Sequence, residues 1–448
     1  MKTESDNTPQ NKEITRDDFD FLLLIGKGGF SKVWKVRYKL TNEIFALKEI
    51  SKLKTLDKNI RKNIFFELNI LSKLKHPFLL NLHFAFQDLD NLYIVTDYFG
   101  GGDLGYHIYQ NKIFTESQTK FLIACIIHGL SYIHKNNIIH RDLKINNLVF
   151  DSKGYLHIID FGISKENDRN NYLHTHCTYL YTAPEILLKK NYSFSSDFYS
   201  IGVIALLLMR RVFPYNGTKD EIREKMKKTK IHIKEKIGWD IKSKFFIKGL
   251  LEINPEKRLG NKNGIKELKE HPWFKNFSWE ELKNKTMPAP FIPKENAQNF
   301  DKEYLNKEKV IGINTDARYQ EILQNENYQI AFDGFYFNKY YRNKGPIIPK
   351  NLDLNNKKEN KKENKKEDSK GKEQDTMIKV NKPTKKVICE EIEDQKPIIV
   401  EKTLKPIKLD ETEHSSNIVK KRSSNSTKCT KIRINYDYVK LYEKFKNK

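Results

Sequence analysis

The 448-residue sequence holds no apolar run near the roughly 20 residues that a membrane-spanning helix needs. Its longest candidate, Ile201 to Met209, is short and flanked by Asp197 and Arg210-Arg211, so it predicts a buried core helix instead. The opening MKTESDNTPQ lacks the apolar stretch of a signal peptide, and no glycine follows Met1. Neither secretion nor N-myristoylation is therefore expected. Cysteine is scarce. Cys125, Cys177, Cys389 and Cys429 are too few and too scattered for a disulfide framework or a paired-cysteine metal site. A reducing intracellular compartment follows, the cytoplasm first, with the nucleus left open. Hydrophobic residues reach only 38%, too little for a uniformly packed chain, while 12% aromatics is too rich for a wholly disordered one. A folded part with a polar tail is the expected organisation.

Acidic residues are also in deficit, and the net charge is +24. Residues 351–448 hold 26 Lys+Arg against 17 Asp+Glu, so the excess is spread along the chain. Such a charge suits acidic partners or simply a solvated surface, and by itself it does not choose between them. No basic platform interleaved with aromatics supports a nucleic-acid reading.

What is present is ordered along the chain. Residues 17–98 read as strands broken by one helix: an apolar run Phe21–Ile25, alternation from Lys32 to Tyr38, and a third strand from Glu43 to Ile50. From Asn59 to Leu74 the period becomes helical, with Ile60, Ile64, Leu68 and Leu71 on one stripe. Residues 104–140 and 195–285 are mostly helical in pattern, and short strands lie at Leu148–Phe150 and Leu156–Ile159. After Gly345 the composition collapses, and Lys357 to Asp368 is a low-complexity Lys/Glu/Asn repeat; residues 345–448 are expected to be disordered. Near the end, Tyr438, Leu441, Tyr442 and Phe445 recur at helical spacing beside lysines. They could form a basic amphipathic helix for an acidic partner or membrane surface, or a transient helix without function.

Three signals carry chemistry. The loop Ile25-Gly26-Lys27-Gly28-Gly29-Phe30-Ser31-Lys32-Val33 lies between two strands. Its glycines would let backbone amides approach phosphates, though an ordinary hairpin turn reads the same way. A dinucleotide-binding fold would need a helix directly after it, and Trp34-Lys35-Val36 continues as strand. Next, Ala46 and Lys48 share one strand face, and Glu67 falls in the inward stripe of the following helix. A carboxylate on a buried face needs a cation, so a Lys48–Glu67 pair is expected, with the ammonium aimed at phosphates over the glycine loop. Finally, His140-Arg141-Asp142-Leu143-Lys144-Ile145-Asn146-Asn147 precedes one short strand, and Asp160-Phe161-Gly162 follows another, 18 positions after Asp142. Phosphoryl transfer needs a carboxylate that takes the proton of an attacking hydroxyl, which suits Asp142. It also needs oxygen ligands for Mg²⁺, which suit Asn147 and Asp160, and Lys144 adds a cation where charge develops.

Together these segments resemble the eukaryotic protein kinases from about Phe19 to Phe274, with every motif in order. The resemblance implies an α+β, two-lobed kinase fold binding MgATP in its cleft: a small β-rich lobe (19–97) with one regulatory helix, and a large helical lobe (98–274). An N-terminal extension (1–18) precedes it, and a tail (275–344) and the disordered C-terminus follow. Thr182-Ala183-Pro184-Glu185 matches a family element whose glutamate pairs with an arginine, here Arg258, and Asp197 matches the aspartate that braces the catalytic loop. The hinge falls near Thr96 to Phe99, which places Asp97 and Asp103 beside the nucleotide. Thr178 matches a threonine that contacts the catalytic aspartate and lysine. Lys144, two residues after Asp142, implies Ser/Thr rather than Tyr acceptors, so protein substrates bearing Ser or Thr are the expected partners.

Asn254–Gly260, His271–Phe274 and the following tail resemble the AGC group. The segments around Arg61–Leu68, His76–Leu82 and Gly101–His107 are similar to its "yet another novel kinase" branch. Three departures stand out. Ser31 replaces the third glycine of the loop. His174 takes the place of the usual activation-segment phosphosite, so phosphate pairing with Arg141 would come from neighbouring Thr175, the site for an upstream kinase, or not at all; His174, His176 and Cys177 lack a fourth ligand for a metal. Asn146 stands where basophilic relatives carry glutamate, while Asp103 keeps the second acidic reader. Phe332-Asp333-Gly334-Phe335-Tyr336-Phe337 resembles the hydrophobic motif that docks on the small lobe, with Tyr336 at the usual phosphosite, and Asn299-Phe300-Asp301 is expected near the nucleotide.

Overall fold

The computed structural model describes residues 13–110, 113–167, 178–188, 193–228, 231, 233, 239–294 and 317–340. Leu173–Cys177 with Thr175, Asn299–Asp301, the tail 345–448 and the Tyr438–Phe445 stripe lie outside them.

The small lobe begins with three antiparallel strands, β1 (Phe19–Lys27), β2 (Ser31–Tyr38) and β3 (Ile44–Ser51). Helix α1 (Lys58–Lys73) follows, with Asp57 as N-cap accepting from Asn59 N. Strands β4 (Leu82–Gln87) and β5 (Asn91–Asp97) complete the run. Aromatics in the strands form their own cluster on one face of the sheet: Phe19, Trp34, Tyr38, Phe45, Phe84, Phe86 and Tyr93. The buried stripe of α1, including Ile64, Leu68 and Leu71, belongs to the main core.

The large lobe contains α2 (Leu104–Tyr109), α3 (Glu116–Lys135), β6 (Ile138–Ile139), β7 (Leu148–Phe150), β8 (Leu156–Ile158) and β9 (Lys165–Glu166). Strands β7 and β8 pair with each other, as do β6 and β9. Then come α4 (Pro184–Leu187), α5 (Phe194–Arg210), α6 (Lys219–Lys228), α7 (Ile241–Leu250), α8 (Ile265–Glu270) and α9 (Trp279–Lys283). Every residue of α5 from Ser195 to Met209 is buried, so the apolar run Ile201–Met209 forms the core helix its composition predicts.

Residues 284–293 then strap the large lobe. Tyr155 donates to the Met287 carbonyl at 2.5 Å and Gln118 Nε2 to the Pro290 carbonyl at 3.1 Å. The Phe291 ring meets those of His107, Phe114 and Phe150. Gly154 sits at φ +85°, and a Cβ there would fall 2.2 Å from the Phe291 carbonyl oxygen, so only glycine allows the strap to lie this close.

Residues 317–340 return to the small lobe. Phe332 and Phe335 are buried, with the Phe335 ring 5.5 Å from Phe65 of α1. Strand β10 (Phe337–Asn338) pairs antiparallel with β4, so the sheet order is β1-β2-β3-β5-β4-β10.

Candidate active site

The glycine loop is the turn between β1 and β2. Gly28 N donates to the Ser31 carbonyl at 2.7 Å, and Gly26 pairs with Val33. None of Gly26, Gly28 or Gly29 takes a positive φ. At Gly28 the value of glycine is clearance, since a Cβ there would press to 3.3 Å from Ser31 Oγ, whereas one on Gly26 would make only ordinary contact with Val33 at 3.6 Å. Phe30 is exposed at the tip. The tip is tied back to the lobe: Ser51 N donates to the Phe30 carbonyl and Lys54 Nζ to that of Gly29. Ile25, Lys27 and Lys32 belong to the same two strands, and Lys32 lies 3.7 Å from Glu49.

Behind the loop, strand pairing sets Lys48 opposite Val33 and Ala46 opposite Thr96. Lys48 Nζ donates to both oxygens of Glu67, at 2.7 and 2.9 Å. Burial alone would lower the Lys48 pKa; the carboxylates of Glu67 and Asp160 outweigh it and hold the ammonium above its ordinary value. The pair expected from a buried-face glutamate therefore forms.

The catalytic-loop residues converge below. Asp142 Oδ2 accepts from Lys144 Nζ at 2.5 Å and Asn147 Nδ2 at 3.0 Å, while Oδ1 accepts from Thr178 Oγ1 at 3.0 Å. The backbone that carries Asp142 is strained, with Arg141 at φ +72°. It is held by Asp197, whose carboxylate accepts from His140 N at 3.0 Å and Arg141 N at 2.9 Å. His134 Nε2 lies 2.8 Å from the same carboxylate. Burial would raise the Asp197 pKa, but His134, His140 and the Arg141 amide bring it below the usual carboxylate range.

Asp160 also has a positive φ, +67°, and is exposed to the cleft. Its Oδ1 accepts from Gly162 N at 3.1 Å. Desolvation opposes ionisation there, yet Lys48 and Lys144 keep the carboxyl below its ordinary pKa. An ionised, exposed Asp160 and the amide of Asn147 make a donor set that suits Mg²⁺, which takes one or two protein oxygens together with substrate phosphates. Asn147 Nδ2 is committed to the Asp142 carbonyl and carboxylate, which leaves its side-chain oxygen as the donor. Among the described residues, no three His, Cys, Asp or Glu gather into an all-protein metal cage.

Two predicted nucleotide residues differ in how they are used. Asp97 stands at the hinge, but its carboxylate is bound by Asn81 and His83, with contacts of 2.7 Å to each. Its backbone N–H donates to the Asn81 carbonyl at 3.1 Å, which leaves the Asp97 carbonyl to face a nucleotide. Asp103 caps α2, accepting from Tyr106 N at 2.9 Å and from Asn146 Nδ2 at 3.3 Å. Further away, Arg258 and Glu185 form a bidentate pair at 2.7 and 2.8 Å, both side chains essentially inaccessible.

Sequence reasoning missed His134, a lone histidine at a helix end with no local signal of its partner. It also missed the triad of Asp151, His157 and Lys285. Lys285 Nζ lies 3.0 Å from Asp151 and 3.1 Å from His157, beneath a His157 ring 4.0 Å from hinge residue Phe99.

Known proteins agree with this architecture. The protein kinase domain family matches residues 19–274. The chain is 40% identical over 304 residues to serine/threonine-protein kinase sgk-1 of Caenorhabditis elegans, covering 66% of this chain and 65% of that protein. It is 35% identical over 292 residues to AtPK1/AtPK6 of Arabidopsis thaliana, covering 64% of this chain and 62% of the other, and 37% identical over 302 residues to human Sgk1, covering 66% and 70%. The chain thus spans just under two thirds of the length of the first two relatives. With the matched domain occupying more than half of its residues, the chain belongs to the protein kinase family.

Proposed function

We propose that this chain is a serine/threonine protein kinase that transfers the γ-phosphate of ATP to Ser or Thr hydroxyls of protein substrates. The observation that carries this reading is the Asp142 carboxylate, held by Lys144, Asn147 and Thr178 in a cleft that also presents the Lys48–Glu67 pair and Asp160. In the proposed reaction the substrate hydroxyl oxygen attacks the γ-phosphorus. That P–O bond forms as the bond to the β,γ-bridging oxygen breaks, ADP leaves, and the hydroxyl proton passes to Asp142. Lys144 offsets charge on the transferred group, and Lys48, positioned by Glu67, binds nucleotide phosphates. Backbone of residues 25–33 covers the phosphates, Ala46 and the hinge backbone at Asp97 face the base, and Asp103 lies at the rim. Asn147 and Asp160 would hold Mg²⁺, which supplies electrostatic neutralisation of the phosphates. The intact catalytic set argues against a pseudokinase scaffold.

Finer points belong to the same proposal: cytoplasmic residence, membership of the AGC group with likeness to the "yet another novel kinase" branch, activation through Thr175, and a tail from 275 to 344 that activates in cis. Among the described residues, no helix is long and apolar enough to cross a membrane. The test is transfer from labelled ATP to myelin basic protein with Mg²⁺ and the full chain. Transfer that is lost in Asp142→Asn supports the reading. Failure of the wild-type chain to bind nucleotide would overturn it.

A further inference from the structure

Phosphoryl transfer makes no use of the base of the large lobe, where two grooves of about 660 and 580 Å³ adjoin and share Lys269 and Glu270. The first runs between the end of α3, the start of α5 and α8, and has Phe194, Phe198 and Ile265 along it. The second lies between α7 and α9, with Phe274 and Trp279 as its aromatic part. Their combined lining contains five lysines, at 135, 242, 266, 269 and 275, against the carboxylate of Glu270, with Asp240 just outside it 3.8 Å from Lys242. Glu270 is itself 3.8 Å from Lys266.

Lys269 is the centre of this arrangement. Its Nζ lies over the Trp279 ring at 4.8 Å. Desolvation, followed by the charges of Lys135 and Lys283, lowers its pKa, so the ammonium sits among like charges that an approaching anion would relieve. Apolar surface continues past the rim. On α7, Ile241 and Phe245 are 49% and 57% exposed, one helical turn apart and beside Lys242.

We propose that these grooves dock an acidic peptide segment of a partner protein, its carboxylates meeting the lysine rim and its bulky apolar side chains seated against Trp279 and the exposed Ile241 and Phe245. Charge complementarity selects an acidic partner. Concavity selects a peptide over an anionic bilayer: the two grooves are recessed between helices, and Trp279 is half-buried within the second. A flat lipid surface would meet the rim lysines while leaving the grooves between the helices unfilled. The surface uses no residue of the catalytic cleft, so the proposal goes beyond the kinase reading.

The experiment uses the full chain and a short fluorescein-labelled peptide alternating Glu with Phe and Leu, read by fluorescence anisotropy. Two control peptides replace Glu by Gln, or Phe and Leu by Ala. Vesicles of phosphatidylserine with phosphatidylcholine form a separate arm. The expected result is saturable binding of the parent peptide, weakened about tenfold or more in each control and in Lys269→Glu combined with Lys275→Glu. Phosphoryl transfer by that variant should match wild type. If its melting transition is shifted, Lys269→Gln is read instead, with a loss of about threefold expected. Equal affinity for the Ala control would reduce the effect to unspecific charge and overturn the proposal. So would binding that ignores the substitutions, or vesicle binding without peptide binding.

Discussion

Lys52 Nζ donates to Gln329 Oε1 at 2.6 Å, joining residues 277 positions apart. The lysine is 1% exposed, also donates to the Asp88 carbonyl at 2.7 Å, and lies 5.0 Å from the Phe332 ring centre. Tyr328 donates from its hydroxyl to the Lys52 carbonyl. The segment before Phe332 is thereby clamped beside the N-terminus of α1, the helix that carries Glu67. Removing residues 325–448 should lower the transfer rate more than removing 345–448, and Lys52→Met should reproduce part of that loss. Steady-state kinetics on the two truncations decides it; equal rates would sink the idea of a cis-activating tail.

The Lys48–Glu67 pair predicts an ordered series. Lys48→Met should cost about 10²-fold or more in kcat, because an ammonium preorganised for phosphates is lost. Glu67→Gln should cost less, since the amide can still accept from Lys48 but no longer balances its charge. Single-turnover transfer with saturating ATP would measure both, and a Glu67→Gln enzyme worse than Lys48→Met would contradict the assigned roles.

The Arg258–Glu185 pair is a stability element. Arg258 also donates to the carbonyls of Ser195 and Glu252, and Ser196 Oγ donates to Glu185. Removing one partner leaves a buried charge, at a cost of about 3–5 kcal/mol. Arg258→Ala and Glu185→Ala should each lower the urea midpoint of the purified chain by a corresponding amount, whereas a surface variant such as Lys266→Ala should leave it unchanged.

Acid sensitivity follows from His76 and His128, whose ring centres lie 5.1 Å apart. Burial first, then neighbouring charge from lysines and, for His76, other histidines, lowers both pKa values to about 4 from 6.5. The unfolded chain therefore binds more protons than the folded one between pH 6.5 and 4, so stability falls as pH drops through that window. The loss should be on the order of 1 kcal/mol for each histidine after solvent screening. Urea midpoints at pH 7 and pH 5 would show it, and His128→Phe should flatten the dependence. An unchanged slope in that variant would assign the acid loss to the carboxylates instead.

How far the sequence could be read depended on how local each interaction is. Asp142, Lys144 and Asn147 lie within six residues, so their type and spacing already describe one cluster. Helix α1 could be placed to within a residue, from Asn59–Leu74 to Lys58–Lys73, because its apolar stripe from Ile60 to Leu71 repeats over about three turns. Pairing across the chain left no such trace. Nothing in the local sequence shows that the Asp97 carboxylate is taken up by Asn81 and His83, or that Lys285 reaches Asp151 and His157 some 130 residues earlier. Lys52 next to Leu53 and Lys54 gave no hint of complete burial, since a lysine becomes buriable only when a distant carbonyl and amide supply its acceptors.

The small-lobe sheet ends in a strand supplied some 250 residues after its neighbour: Phe337 pairs with Ala85 and Asn338 with Phe84. During synthesis, β4 is complete long before β10 leaves the ribosome, and for that interval its outer edge offers unpaired amides and carbonyls to any passing strand. The aromatic residues of that lobe make such an edge adhesive. Strand β10 thus acts as a seal on the first-made part of the protein. Messages or proteolytic products that stop between the large lobe and Phe337 would yield a domain with the whole proposed catalytic set present and a sticky margin exposed, prone to holdase capture and self-association.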